Sequence, residues 1–138
     1  MTSVLILKLA AVAHLGLIAA GLLMPRTVGL WRHAAILPDF ERQLFKVYYG
    51  FIGFILMSFG VLTWFLAEEL ATGSALARGI CLIMGVFWLI RLGVAAFVFD
   101  VRPYLTNSWY RVGYQATNVV FAVLPAIYLW LAWKGGGW

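Results

Sequence analysis

A chain of 138 residues has room for one domain, and this one is 64% hydrophobic and 11% charged, with a mean hydropathy of +0.96. Water-soluble domains carry about 25% charged residues, so this surface cannot face water everywhere, and an ordinary soluble domain is excluded. The net charge of +5 comes with no cluster of basic and aromatic residues that would make a nucleic-acid face. It fits loop cations that set topology and attract anionic headgroups.

Four apolar runs divide the chain, at 4–23, 47–67, 79–99 and 110–133. Each is long enough, at about 1.5 Å per residue, to cross a hydrocarbon core of about 30 Å. Backbone groups have no water to bond there, so the runs are helices. The pattern predicts an all-α integral membrane protein, a single four-transmembrane-helix bundle spanning 1–138.

The first run has no basic residues before it and is too long for an ordinary signal h-region, so it reads as a retained span. Ala13, Gly16 and Ala20 form its small-residue face, and Pro25 follows it. In the loop 24–46, apolar Trp31, Ile36, Leu37 and Phe40 alternate with charged Arg32, Asp39, Glu41 and Arg42. Such a mixture suits a segment in the headgroup plane, with a lid or a docking surface as the alternative.

Pro38 and Asp39 can start a helix that leads into the second run. There Gly53, Gly60 and Ala67 fall seven apart, a stripe along which helices approach closely. Glu68, Glu69, Thr72, Gly73 and Ser74 make the polar turn that follows. Cys81, the one cysteine, has no partner for a disulfide and no neighbouring ligand, and reads as a small packing residue. In the third run Met84, Phe87, Trp88, Arg91 and Ala95 share a sector, so Arg91 is expected along Phe87 or Trp88. Asp100, Pro103 and residues 106–108 separate the third run from the fourth. Arg111, Gln115, Asn118 and Ala122 then form one polar-to-small stripe. Pro125 can kink the helix, and Lys134 with the glycines after it ends it.

Loops one and three hold six Lys or Arg residues against three on the other side, which predicts both loops in the cytoplasm and both termini outside the cell membrane. Trp31, Tyr48, Tyr49, Trp109 and Tyr110 mark one interface, and Trp64, Trp130 and Trp133 the other. Pro38, Lys46, Val47 and Tyr49 are matched 65 positions later by Pro103, Arg111, Val112 and Tyr114. The needs of any loop entering a helix account for that, since the rest of the halves does not align.

Four polar side chains lie within the apolar runs: His14, Arg91, Gln115 and Asn118. Counted from the run ends, His14, Arg91 and Asn118 are each roughly 12–14 Å deep. Arg91 has no Asp or Glu in any run to neutralise it, and a central arginine costs about 2.5–3.5 kcal/mol on insertion scales. It can be satisfied by neutral acceptors on His14, Gln115 and Asn118, by an anionic or carbonyl-bearing ligand, or by an acid on a partner subunit.

Two readings of function follow. In one, His14, Arg91, Gln115 and Asn118 line a site for a lipophilic small molecule, a lipid or a quinone. In the other, the chain is an accessory subunit or homo-oligomer with no chemistry of its own. Enzymatic motifs for paired carboxylates, HExxH metals and phosphate loops are missing from the sequence, and only one histidine lies in a run, against two for a bis-histidine haem. No cofactor is therefore assigned, and the charge pattern does not trace a transport pathway.

Overall fold

The computed structural model describes residues 2–100, 102–104 and 106–134, and side chains throughout these except that of Arg102. It consists of α1 (Thr2–Thr27), α2 (Leu30–Ala34), α3 (Asp39–Phe65), α4 (Ala67–Ala71), α5 (Ala75–Phe97), a 3-10 turn (Arg102–Tyr104) and α6 (Ser108–Lys134). No strand occurs among the described residues. Helices α1, α3, α5 and α6 are each long and apolar enough to cross a membrane, which makes this a multi-pass helical membrane protein. The terminal glycines, and the positions flanking the 3-10 turn, lie outside the described residues.

Some helix ends extend past the apolar runs for local reasons, while α3 and α5 stop two residues short of theirs, at Phe65 and Phe97. Helix α1 continues through Pro25 to Thr27 instead of stopping before the proline. A proline in the last turn forfeits only its own bond to the carbonyl four residues back, here that of Gly21. Tyr49 of α3 donates its hydroxyl to this Gly21 carbonyl. The bond thus repairs the proline's deficit and ties α3 to α1. Gly29, at φ 64°, then turns the chain into α2.

Helix α3 begins well before its apolar run. Asp39 and Glu41 in its first turn complement the helix dipole, and an exposed amphipathic lead-in results. Ser74 caps α5 by accepting from the Ala77 amide at 3.2 Å. Gly73, at φ 73°, makes the turn before it.

Two helical pairs form the bundle: α1 packs along α3 and α5 along α6, while α1 also touches α6 and the short α4. One end of the bundle, the loop end, carries α2 and the 3-10 turn. The other carries α4 and both chain termini, where Lys134 donates to Ser3 at 3.3 Å. Because α3 and α6 run in the same direction, Thr63 and Tyr128 meet at one height, hydrogen-bonded at 2.7 Å. They are 65 residues apart, the offset seen between Pro38 and Pro103.

Lipid offers helices no hydrophobic reason to associate, so close contact depends on small residues and shape. Helix α1 buries Leu7, Ala10, Ala11, His14 and Leu17. The expected face of Ala13, Gly16 and Ala20 is displaced from this stripe, and a Cβ on Gly16 would meet nothing within 4 Å. Of the expected stripe, Gly60 is buried on α3, Gly53 has open space around it, and Ala67 is buried but begins α4, because the helix breaks at Leu66. Gly60 admits His14, since its Cβ would lie 3.0 Å from that of His14. Gly85 brings α5 against α6, where a Cβ would be 2.8 Å from the Leu129 side chain and 3.2 Å from its backbone nitrogen.

Gly85→Ala therefore forces the α5–α6 pair apart and is expected to destabilise the protein by about 1–3 kcal/mol. Gly53→Ala should be neutral or mildly stabilising. Unfolding titrations in mixed micelles compare the two, and equal effects would contradict this packing.

Candidate functional site

The polar groups of the bundle sit on an aromatic layer. His14 is fully buried on α1, and its Nδ1 donates to the Ala10 carbonyl at 2.7 Å, one turn back. A carbonyl only accepts, so Nδ1 carries the proton and, in the neutral imidazole, Nε2 is left as an acceptor. Nε2 has no hydrogen-bond partner among the described residues, and neither does the buried indole nitrogen of Trp88. Edge-to-face contacts surround the imidazole: Trp88 at 5.2 Å, Tyr128 at 6.2 Å and Phe59 at 6.5 Å between ring centroids. Such geometry places ring edges against ring faces and holds the histidine by packing.

Arg91 lies at the edge of this layer. Its guanidinium carbon is 5.3 Å from the Phe121 ring centroid and 5.6 Å from that of Phe99. The expected partners, Phe87 and Trp88, are committed elsewhere. Phe87 packs on Phe59 at 5.1 Å and Trp88 on His14. Trp88 also lies over Phe121 at 5.8 Å with a tilt of 30°. The cation thus rests on one face of a ring whose neighbour reaches the histidine. A desolvated cation on a ring gains about 2 kcal/mol, less than the cost of a central arginine. No hydrogen bond or ion pair to Arg91 is found among the described residues. The side chain is only half-buried, so the site opens sideways.

Helix geometry explains where the remaining polar residues fall. At about 100° per residue, Asn118 is about 60° and Gln115 about 120° from Phe121, which faces the core. Asn118 is accordingly half-buried and Gln115 exposed. Neither is hydrogen-bonded to Arg91 in the structure. On antiparallel helices, Arg91 is three residues loop-ward of Trp88 and Asn118 three loop-ward of Phe121. Since Trp88 packs on Phe121, Arg91 and Asn118 share a height of about one turn from that contact.

His14 touches Tyr128 as well as Trp88, so it lies farther from the loop end than Arg91 and Asn118. Counting from the apolar runs had put all three at one level. The difference arises because α1 continues to Thr27, past the end of its run.

Pro125 adds an acceptor. Having no N–H, it cannot bond the carbonyl of Phe121, the residue on whose ring Arg91 rests. Phe99 and Phe121 were not singled out in the sequence as partners of the arginine. The signal for Phe121 is its spacing: with Leu124, Pro125, Tyr128, Leu131 and Ala132 it makes the buried stripe of α6. His33, the second imidazole, is exposed on α2, so it does not join His14 as a ligand pair.

A groove of about 680 Å³ lies between α2 and α3, and an apolar cleft of about 380 Å³ beside Leu129 and Trp133. Neither is lined by Arg91 or His14. Comparison with known protein families, with characterised proteins and with solved structures finds no match for this chain.

Thr63 and Tyr128 are both fully buried, so removing either partner strands the other. Thr63→Val and Tyr128→Phe are each expected to destabilise, with a coupling in the double mutant of about 0.6–1.7 kcal/mol. Additive effects in a double-mutant cycle would rule out the bond as a link between α3 and α6.

Proposed function

We propose that the bundle binds a lipophilic molecule with an anionic or carbonyl-bearing head, a lipid or a quinone, at Arg91. The observation that carries this reading is a half-buried guanidinium held by two rings, with no acid or hydrogen-bond acceptor engaging its N–H groups among the described residues. A guanidinium has five N–H donors in one plane, and stacking on rings leaves that edge unused. Carboxylate, phosphate and quinone oxygens all fit a planar fork of donors. The sideways opening gives a bilayer-dissolved molecule access without a deep pocket.

In this reading Arg91 supplies charge and orientation. Phe121 and Phe99 form the platform, and Asn118 at the same height adds an amide. His14 supports the platform through Trp88, and Gln115 lies toward the rim. The excess of Lys and Arg in loops one and three supports a loop end, and so a site, in the cytoplasmic half of the bilayer, with both termini outside.

A second reading is favoured by α3, of whose apolar window only 6% is buried, against 22–33% in the other spans. That face suits an accessory subunit or a homo-oligomer. A strictly monomeric protein in gentle detergent, with no crosslinked neighbour in native membranes, would count against it.

Arg91→Leu removes the fork of donors and also an insertion cost of about 2.5–3.5 kcal/mol, so the variant should insert and fold at least as well as the parent. Mass spectrometry of material purified from native membranes is expected to show a co-purifying lipid or quinone on the parent and its loss from the variant. Equal retention by both proteins would reject the reading.

A further inference from the structure

The loop end carries a second concavity, built differently from the Arg91 site. The groove of about 680 Å³ between α2 and the start of α3 is lined by Trp31, Ala34, Ala35, Arg42 and Lys46. Its floor is small and apolar. Its aromatic wall is fixed: Trp31 meets Tyr49 edge-to-face at 5.6 Å and Phe45 at 6.4 Å, and Tyr49 is bonded to the Gly21 carbonyl.

Arg42 and Lys46 are four residues apart on α3, so they stand one above the other on one side of the groove. Arg42 is held in place by an ion pair with Asp39 and by the Ala35 carbonyl at 3.3 Å. Two of its five N–H donors serve those bonds, which leaves a pre-set cationic edge beside the exposed Lys46. Around the groove, Ile36 and Phe40 are 81% and 72% exposed. Apolar groups so bare, interleaved with charges on a segment flanking the first span, belong at the boundary of headgroups and acyl chains.

We propose that this groove holds the phosphodiester of an anionic phospholipid. The phosphate lies between Arg42 and Lys46, the upper acyl chain crosses Ala34 and Ala35, and Trp31 packs against the glycerol. Charge complementarity selects the lipid class. A phosphatidylcholine head brings its own cation toward Lys46 and the Asp39-paired Arg42, whereas a phosphatidylglycerol head brings only the anion. The site is separate from Arg91 in position, chemistry and residues.

The test uses the full chain in phosphatidylcholine nanodiscs doped with a photoactivatable phosphatidylglycerol, or with a phosphatidylcholine carrying the same group, followed by peptide mapping. Labelling of residues 30–46 by the anionic probe should exceed that by the zwitterionic probe at least about fivefold, given Lys46 as the uncompensated cation beside the Arg42–Asp39 pair. Arg42→Gln with Lys46→Gln should abolish the difference. Equal labelling by the two probes, or an unchanged preference in the double variant, would overturn the proposal. So would chasing of the label by inorganic phosphate, which would make the occupant a soluble anion. Adducts near residues 88–99 or 118–121 report the Arg91 site instead, so the two proposals fail separately.

Discussion

Two helical pairs, α1 with α3 and α5 with α6, are joined across the bundle by rings, and Trp88 is the central one. It is fully buried, touches His14 of α1, and lies over Phe121 of α6. Beside it Phe87 reaches Phe59 of α3. A single layer of side chains therefore connects all four spans at mid-height. In lipid, where apolar surface alone does not draw helices together, shape-matched rings and close-packed glycines must do it. The same layer furnishes the platform on which the guanidinium rests. Fold and candidate site are consequences of one packing arrangement.

This dependence explains the division between buried and exposed polar groups. His14 is tolerated in the core because its Nδ1 proton goes to the Ala10 carbonyl and its faces to rings. Tyr128 is tolerated because it shares a hydrogen bond with Thr63, and Tyr49 because Pro25 leaves the Gly21 carbonyl open. Each of these hydroxyls has a hydrogen-bond partner within the bundle. Arg91 breaks the pattern. It gains contact with two rings but, among the described residues, no acceptor, and a cation of that kind is the place where a membrane-dissolved anion or carbonyl adds most. At the loop end, cations at Arg42 and Lys46 line a groove. Both features lie toward the same end of the bundle.

The four spans were legible because hydropathy over about 20 residues is a strong signal. The start of α3 at Asp39 was legible too, from Pro38 and Asp39, but the far ends of α1 and α3 were not, since turn chemistry decides them. Pro25 is absorbed in α1 because a last-turn proline loses little, and α3 stops at Phe65, two residues short of its apolar run, where the chain breaks at Leu66. The unusual status of Arg91 was also legible, from the absence of acids in the apolar runs. Its ring partners were not. Sequence spacing places Arg91 near Phe87 and Trp88 on α5, but those rings turn inward to Phe59 and His14, a choice made by tertiary packing. Gln115 shares a stripe with Asn118 in sequence, yet the buried face of α6 is set by Phe121, Leu124 and Tyr128, which leaves the glutamine exposed.

Solid-state NMR on protein in bilayers, with labelled arginine and phenylalanine and Arg91→Lys used to assign the signal, bears most directly on this picture. Dipolar recoupling should connect the Arg91 guanidinium carbon to the rings of Phe121 and Phe99, at about the 5.3 Å and 5.6 Å separations seen here, and to no carboxylate carbon. A strong contact to a side-chain carboxylate, or a guanidinium in contact with acyl chains and neither ring, would contradict it.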